Sequence, residues 1–224
     1  MRLADPARRV PEAGRPSALR LGLQLAPGMR VGLYGGSFDP AHEGHAHVAR
    51  TALKRLRLDR VIWLVSARNP LKGRGDADLP ARMAGARAQA RGPSMRVSDL
   101  ESRIGTRFTL DMLRVMKARF PGVRFVWIMG ADNLAGFQNW RGWADIFRAV
   151  PIAIVARPGA GPRIGFSPAA RRFVRYRLRE SQAPRLALMA PPAWVYLPAP
   201  LKSISSTALR TQRHSTSSPL DNTV

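Results

Sequence analysis

The sequence predicts an α/β protein, a single domain built on a doubly wound, mostly parallel sheet, and three observations carry that reading. Short apolar runs recur along the chain: VGLY at 31–34, VIWLV at 61–65, VRFVWIM at 123–129 and IAIVA at 152–156. None alternates apolar with polar residues, as strands covered on both faces require. Segments with apolar residues at helical spacing lie between the runs, and two runs end in glycine, at Gly35-Gly36 and Gly130. In such sheets the ligand crevice lies beyond the carboxyl ends of the strands.

In chain order, residues 1–28 are rich in Pro, Arg and Ala without sustained period and read as a basic N-terminal extension. The domain proper runs over 29–214 and opens with a strand at Arg30–Tyr34. A turn at the glycine pair follows, then an amphipathic helix with Val48, Ala52 and Leu56 on one side and Arg50, Lys54, Arg55 and Arg57 opposite. With Val61–Val65 this makes a βαβ unit. After the loop Ser66–Leu79 come a helix over Pro80–Arg91 and a short strand at Met95–Val97. Leu110, Leu113, Met116 and Phe120 mark a further helix that Pro121-Gly122 ends. The strand Val123–Met129 meets a second glycine turn, followed by an aromatic-rich helical region with Phe137, Trp140 and Trp143. Ile152–Ala156 is another strand. An arginine-rich helix is expected at Arg171, Arg172, Arg175, Arg177 and Arg179, read as a solvated face, and Trp194–Leu197 closes the strand set. Residues 215–224 read as a loose tail.

Composition narrows the classes. The 224 residues are 45% hydrophobic, enough for one sizeable core. Cysteine is absent, which removes disulfides, thiolate metal sites and thiol nucleophiles and fits a cytoplasmic setting. No apolar run reaches the length of a membrane span. The formal charge of +23, from 37 Lys+Arg against 14 Asp+Glu, predicts attraction to polyanions, whether nucleic acid, a membrane surface or a triphosphate.

The stretch GGSFDPAHEGH at 35–45 carries the chemistry. Glycine lets backbone N–H groups approach an anion, and a helix starting near Gly44 aims its unpaired N–H groups at the same place. His42 and His45, in the pattern H-x-G-H, add donors. They have no carboxylate or cysteine companions at ligand spacing, so a zinc site is not indicated. Neither a P-loop nor a G-x-G-x-x-G fingerprint occurs. Late in the chain, ISSTALR at 204–210 places hydroxyls where a helix should begin.

These two stretches together resemble the nucleotidylyltransferase superfamily related to the class I aminoacyl-tRNA synthetases. Four more narrow the resemblance, over most of 30–210, to the bacterial nicotinate-nucleotide adenylyltransferase family. They are NPLK at 69–72, Phe108-Thr109-Leu110 with Asp111, MGADNL at 129–134 with Phe137 and Trp140, and Val155-Ala156-Arg157-Pro158.

The resemblance implies a Rossmann-like nucleotidylyltransferase fold. It implies transfer of the adenylyl group of ATP to nicotinate mononucleotide, giving nicotinate adenine dinucleotide and pyrophosphate in NAD biosynthesis. It assigns catalysis to His42 and His45. ATP would contact these two and Gly35, Gly36, Ser37, Phe38, Gly130, Asp132, Arg157, Ser205, Ser206, Thr207 and Arg210. Nicotinate mononucleotide would contact Ser37, Lys72, Thr109, Trp140 and Arg141. Mg²⁺ would enter as the ATP complex, with no protein-built metal site.

On the residues alone, Asp132 also suits a helix N-cap, Trp140 the core and Lys72 the surface. The family's usual serine-tyrosine before the threonine reads Arg107-Phe108 here, and no ligand role is carried onto Arg82 or Met83. Two other readings stand beside this one. A sister transferase would use another phosphorylated acceptor such as phosphopantetheine, and a nucleic-acid-binding protein would use the basic surface but leave H-x-G-H unexplained. Partners are expected to be ATP and nicotinate mononucleotide, with no specific nucleic acid and no membrane.

Overall fold

A computed structural model describes residues 22–67, 78–156 and 167–198. Seven strands form one sheet: β1 (Arg30–Gly36), β2 (Arg60–Val65), β3 (Met95–Ser98), β4 (Arg124–Gly130), β5 (Ile152–Val155), β6 (Arg177–Leu178) and β7 (Trp194–Leu197). Their order is β3-β2-β1-β4-β5-β7-β6, and every neighbouring pair is parallel. The helices are α1 (Glu43–Arg55), α2 (Leu79–Gln89), α3 (Leu100–Arg103), α4 (Thr109–Arg119), α5 (Ala131–Leu134), α6 (Trp143–Ala149) and α7 (Pro168–Arg172). No helix among the described residues is long and apolar enough to cross a membrane.

Burial on both sheet faces explains the unbroken apolar runs. In β4, Phe125, Trp127 and Met129 point into one core with Leu113, Ile146 and Phe147 of α4 and α6. Val126 and Ile128 point into the other, with Val48 and Ala52 of α1 and Leu186. Each successive side chain enters a dry layer, so no position along the strand calls for a polar residue.

The chain builds outward from β1 in both directions, through β2 and β3 on one side and through β4 and β5 on the other. The carboxyl ends of β1 and β4 therefore flank the topological switch point, where a doubly wound sheet opens a crevice.

The glycine pair is not a turn. β1 continues through it, with Gly35 opposite Leu64 and Gly36 opposite Val65. A Cβ on Gly35 would lie 2.3 Å from Cη2 of Trp127. Glycine is required there by the indole beneath the strand.

The arginine run is likewise not one helix. It is divided among α7, a 3-10 turn at Val174–Tyr176 and the edge strand β6, with Arg179 capping the 3-10 helix Glu180–Leu188. Phe173 interrupts it: its ring stacks on Phe147 at 4.2 Å and its carbonyl accepts a hydrogen bond from Trp194 Nε1 at 2.7 Å. All five arginines are exposed, as a solvated surface requires. The aromatic region is also broken, into a 3-10 turn at Phe137–Asn139 and α6. Upstream, Leu23 and Leu25 pack on the core, and Gly28 N–H donates to the Gly122 carbonyl at 2.9 Å.

Replacing Gly35 by Ala drives a methyl group into Trp127. Urea denaturation is expected to show a loss of about 1–3 kcal/mol, the usual scale of core overpacking, and an unchanged midpoint would contradict this reading of Gly35.

Candidate active site

The site starts where β1 hands over to α1. His42 is the N-cap of α1 in extended backbone, and its Nδ1 accepts the Gly44 N–H at 3.0 Å. His45 stands three residues on, and its Nδ1 accepts the His42 N–H at 3.2 Å. Ser, Thr or Asp with Glu usually builds such a capping box; here two imidazoles do. A ring nitrogen that accepts carries no proton, so in the neutral ring the proton sits on Nε2 of each histidine.

The two rings lie 4.0 Å apart between centroids. They are 3% and 7% exposed. Phe38 backs His45 edge-on at 5.1 Å, itself wedged against Tyr34 at 5.3 Å and Trp63 at 5.0 Å. The Phe38 side chain is buried among these rings, so a nucleotide could meet only its backbone. The first turn of α1 adds backbone N–H groups and the positive end of a 13-residue helix.

On the other side of the switch point, Phe108 caps α4 and Thr109 is its first residue. Gly142 brings the Trp140-Arg141 segment against this helix start. It has a left-handed φ of 66°, and a Cβ there would lie 2.6 Å from Leu110 Cδ2. The Arg141 guanidinium rests over the Phe108 ring at 4.4 Å. Trp140 is half-buried, tilted on Phe137 at 5.0 Å and edge-on to Trp127 at 6.4 Å. Trp127 is the same indole that lies under Gly35, so one buried side chain touches both halves of the site. Asp132 is exposed in the first turn of α5, where Gly130 holds the N-cap, which corrects the reading of its carboxylate as a cap.

Two buried charged residues lie by the ends of β1 and β2. Arg82 of α2 donates from Nη1 to the carbonyls of Ser37 at 3.0 Å and Ser66 at 2.8 Å, and from Nη2 to that of Ala67 at 3.2 Å. Glu101 of α3 bonds the Ala67 backbone N–H, and burial pushes its pKa up to about 7, against the opposing pulls of that bond and of the Arg82 charge. Sequence reasoning gave Arg82 no ligand role and passed over Glu101. The signal for Arg82 was slight: an arginine beside Met83 on the buried side of a helix otherwise rich in exposed arginine and alanine.

Lys72, Arg157, Ser205, Ser206, Thr207 and Arg210 lie outside the described residues. Among the described residues, no group of three or more His, Cys, Asp or Glu could hold a metal ion.

The cytidylyltransferase-like family model matches residues 33–212. A protein of Caulobacter sp. (strain K31), named probable nicotinate-nucleotide adenylyltransferase, is 60% identical over 183 residues, covering 81% of this chain and 97% of the relative. The chain belongs to the nicotinate-nucleotide adenylyltransferase family. A member from Methylorubrum extorquens (strain PA1), carrying the same name, is 51% identical over 82% of this chain and the whole of its own length. Among solved structures, the Plasmodium falciparum nicotinic acid mononucleotide adenylyltransferase complexed with NaAD shares the fold. Its TM-score is 0.61 at 19% identity, over 82% of this chain and 83% of that one. Membership in this family makes the chain a nucleotidyltransferase and agrees with the Rossmann-like sheet.

The raised Glu101 carboxyl has a consequence for stability. Its folded-state pKa exceeds the unfolded value, so the folded protein holds this proton more tightly. That contribution is fully present below about 4.5 and is lost as pH rises through about 7, amounting to about 3 kcal/mol at most. Glu101→Gln cannot ionise, so its melting temperature relative to wild type should climb between pH 5 and pH 8. Parallel pH profiles for the two proteins would refute the assignment.

Proposed function

We propose that the chain transfers the adenylyl group of ATP to nicotinate mononucleotide, giving nicotinate adenine dinucleotide and pyrophosphate. A phosphate oxygen of the mononucleotide attacks the α-phosphorus of ATP. The bond from that phosphorus to the α,β-bridging oxygen breaks, and pyrophosphate leaves with the electron pair. The nucleophile is already an anion, so no base has to remove a proton. The enzyme's task is to bring two anions together and to meet charge on the leaving group.

The observation that carries the reading is the histidine capping box at the β1–β4 switch point. It pairs two Nε2–H donors with the N–H groups of a helix start, a donor set for phosphate oxygens. In this reading His45 meets the transferring α-phosphate and His42 its neighbour. The backbone at Gly35, Gly36, Ser37 and Phe38 lines the nucleotide, and Gly130 and Asp132 take the adenosine end. Ser205, Ser206, Thr207 and Arg210 hold the outer phosphates, with Arg157 as a further contact. Ser37, Lys72, Thr109, Trp140 and Arg141 serve the acceptor. Thr109 donates to its carboxylate and Trp140 presents its ring to the pyridine. Mg²⁺ arrives with ATP: the hard ion prefers oxygen ligands, which the phosphates supply, whereas the histidine cradle offers nitrogen donors. The reaction is that of a cytoplasmic biosynthetic enzyme.

Pyrophosphate release from Mg-ATP with nicotinate mononucleotide tests the reaction, with nicotinamide mononucleotide and phosphopantetheine as competing acceptors. Release with phosphopantetheine alone, or with none of the three, would sink the assignment. His45→Ala is expected to lower kcat by at least ~100-fold, the scale of losing a preorganised transition-state donor. The variant also loses one helix-start hydrogen bond worth about 1 kcal/mol, so turnover is compared at equal folded fraction. Thr109→Val should raise KM for nicotinate mononucleotide on the order of 10-fold, as loss of a hydrogen bond to a charged group does. KM for ATP should stay unchanged; equal shifts in both would remove Thr109 from the acceptor site.

A further inference from the structure

Beyond Gly36 and Val65 the pairing of β1 with β2 ends, apart from the Ser66 N–H that donates to the Gly36 carbonyl at 3.0 Å. Two chain segments then leave the sheet at the edge where the histidine cradle is built. Their carbonyls at Ser37, Ser66 and Ala67 have passed the last ladder position, and all three accept from one guanidinium. Only a planar fork of five donors can span such a set; a lysine ammonium is a single point on a flexible stem. Arg82 is 5% exposed, and Glu101, likewise 5% exposed, lies near enough to feel its charge. The Ala67 residue is thereby held at both ends, its carbonyl by Arg82 and its N–H by Glu101. The pair also bridges the layers of the fold. Arg82 lies beside Met83 in the core under α1 and α2, and Glu101 beside Leu100 in the core under α4.

We propose that Arg82 is a positioning residue for nucleotidyl transfer. By tying the end of β1 to the end of β2 it fixes where the Ser37–His42 segment leaves the sheet, and so where the two imidazoles stand. Arg82 acts through the Ser37 carbonyl and not through substrate. This inference rests on the reaction proposed above.

The test compares wild type, Arg82→Lys and Arg82→Gln in the pyrophosphate-release assay, with folded fraction followed by circular dichroism at 10 °C and 25 °C. Both variants should retain the fold. Their kcat per folded molecule should fall by about 10- to 100-fold, the effect of a small misplacement of catalytic groups, while KM for ATP changes less than about 3-fold, since no contact to ATP is removed. Turnover per folded molecule equal to wild type in either variant would overturn the proposal. Failure of both variants to fold at 10 °C would overturn it as well, by assigning Arg82 to stability alone. A rise confined to KM for ATP, with kcat unchanged, would do the same, by making Arg82 a ligand contact. An inactive wild type would instead count against the reaction, so the two failures are distinct.

Discussion

An imidazole that caps a helix through Nδ1 has already settled which of its nitrogens can donate. That constraint organises the carboxyl edge of this sheet. His42 cannot turn its ring without releasing the Gly44 N–H, and His45 cannot turn without releasing that of His42. Phe38 closes the space behind His45, and Tyr34 and Trp63 close the space behind Phe38. The donor direction is thus fixed by the same hydrogen bonds that start the helix. In the proposed reaction, little reorganisation would be left for the moment when charge develops on the phosphates.

The second element of order is the indole of Trp127. It lies under Gly35 at the end of β1 and against Trp140 across the switch point. In the proposed reaction two substrates must meet with atomic accuracy, and packing of Gly35 and Trp140 on one indole would keep the separation of the two loops constant. A glycine in β1 and a tryptophan in β4 act here as one feature, since the first exists to make room for the second.

Much of this was legible in the sequence, and the physics of each residue says why. Strands β1, β2, β4, β5 and β7 stood out because dry layers on both faces leave their runs uniformly apolar. His42 and His45 stood out because their spacing after a strand suits a helix start. The arginine run misled, because helical periodicity cannot register that Phe173 must stack on Phe147 and so break the element. Gly35 stood out as a place where backbone could approach an anion, and the structure adds a close approach to Trp127 that the local sequence does not declare. Arg82 and Glu101 escaped because a buried charge declares itself only through partners far along the chain, here Ser37, Ser66 and Ala67.

The sheet divides the interior into two hydrophobic clusters that share no side chain. The histidine helix belongs to one, and α4 with Thr109 and the turn carrying Trp140 belong to the other. Substitutions more than about 7–10 Å apart without shared partners tend to combine additively. Away from Trp127, which touches Gly35 and Trp140 alike, the acceptor helices can therefore accumulate change without disturbing the packing under the histidine helix. A lineage could revise what it adenylylates while keeping how it does so, and the divided core is the physical basis of that evolvability.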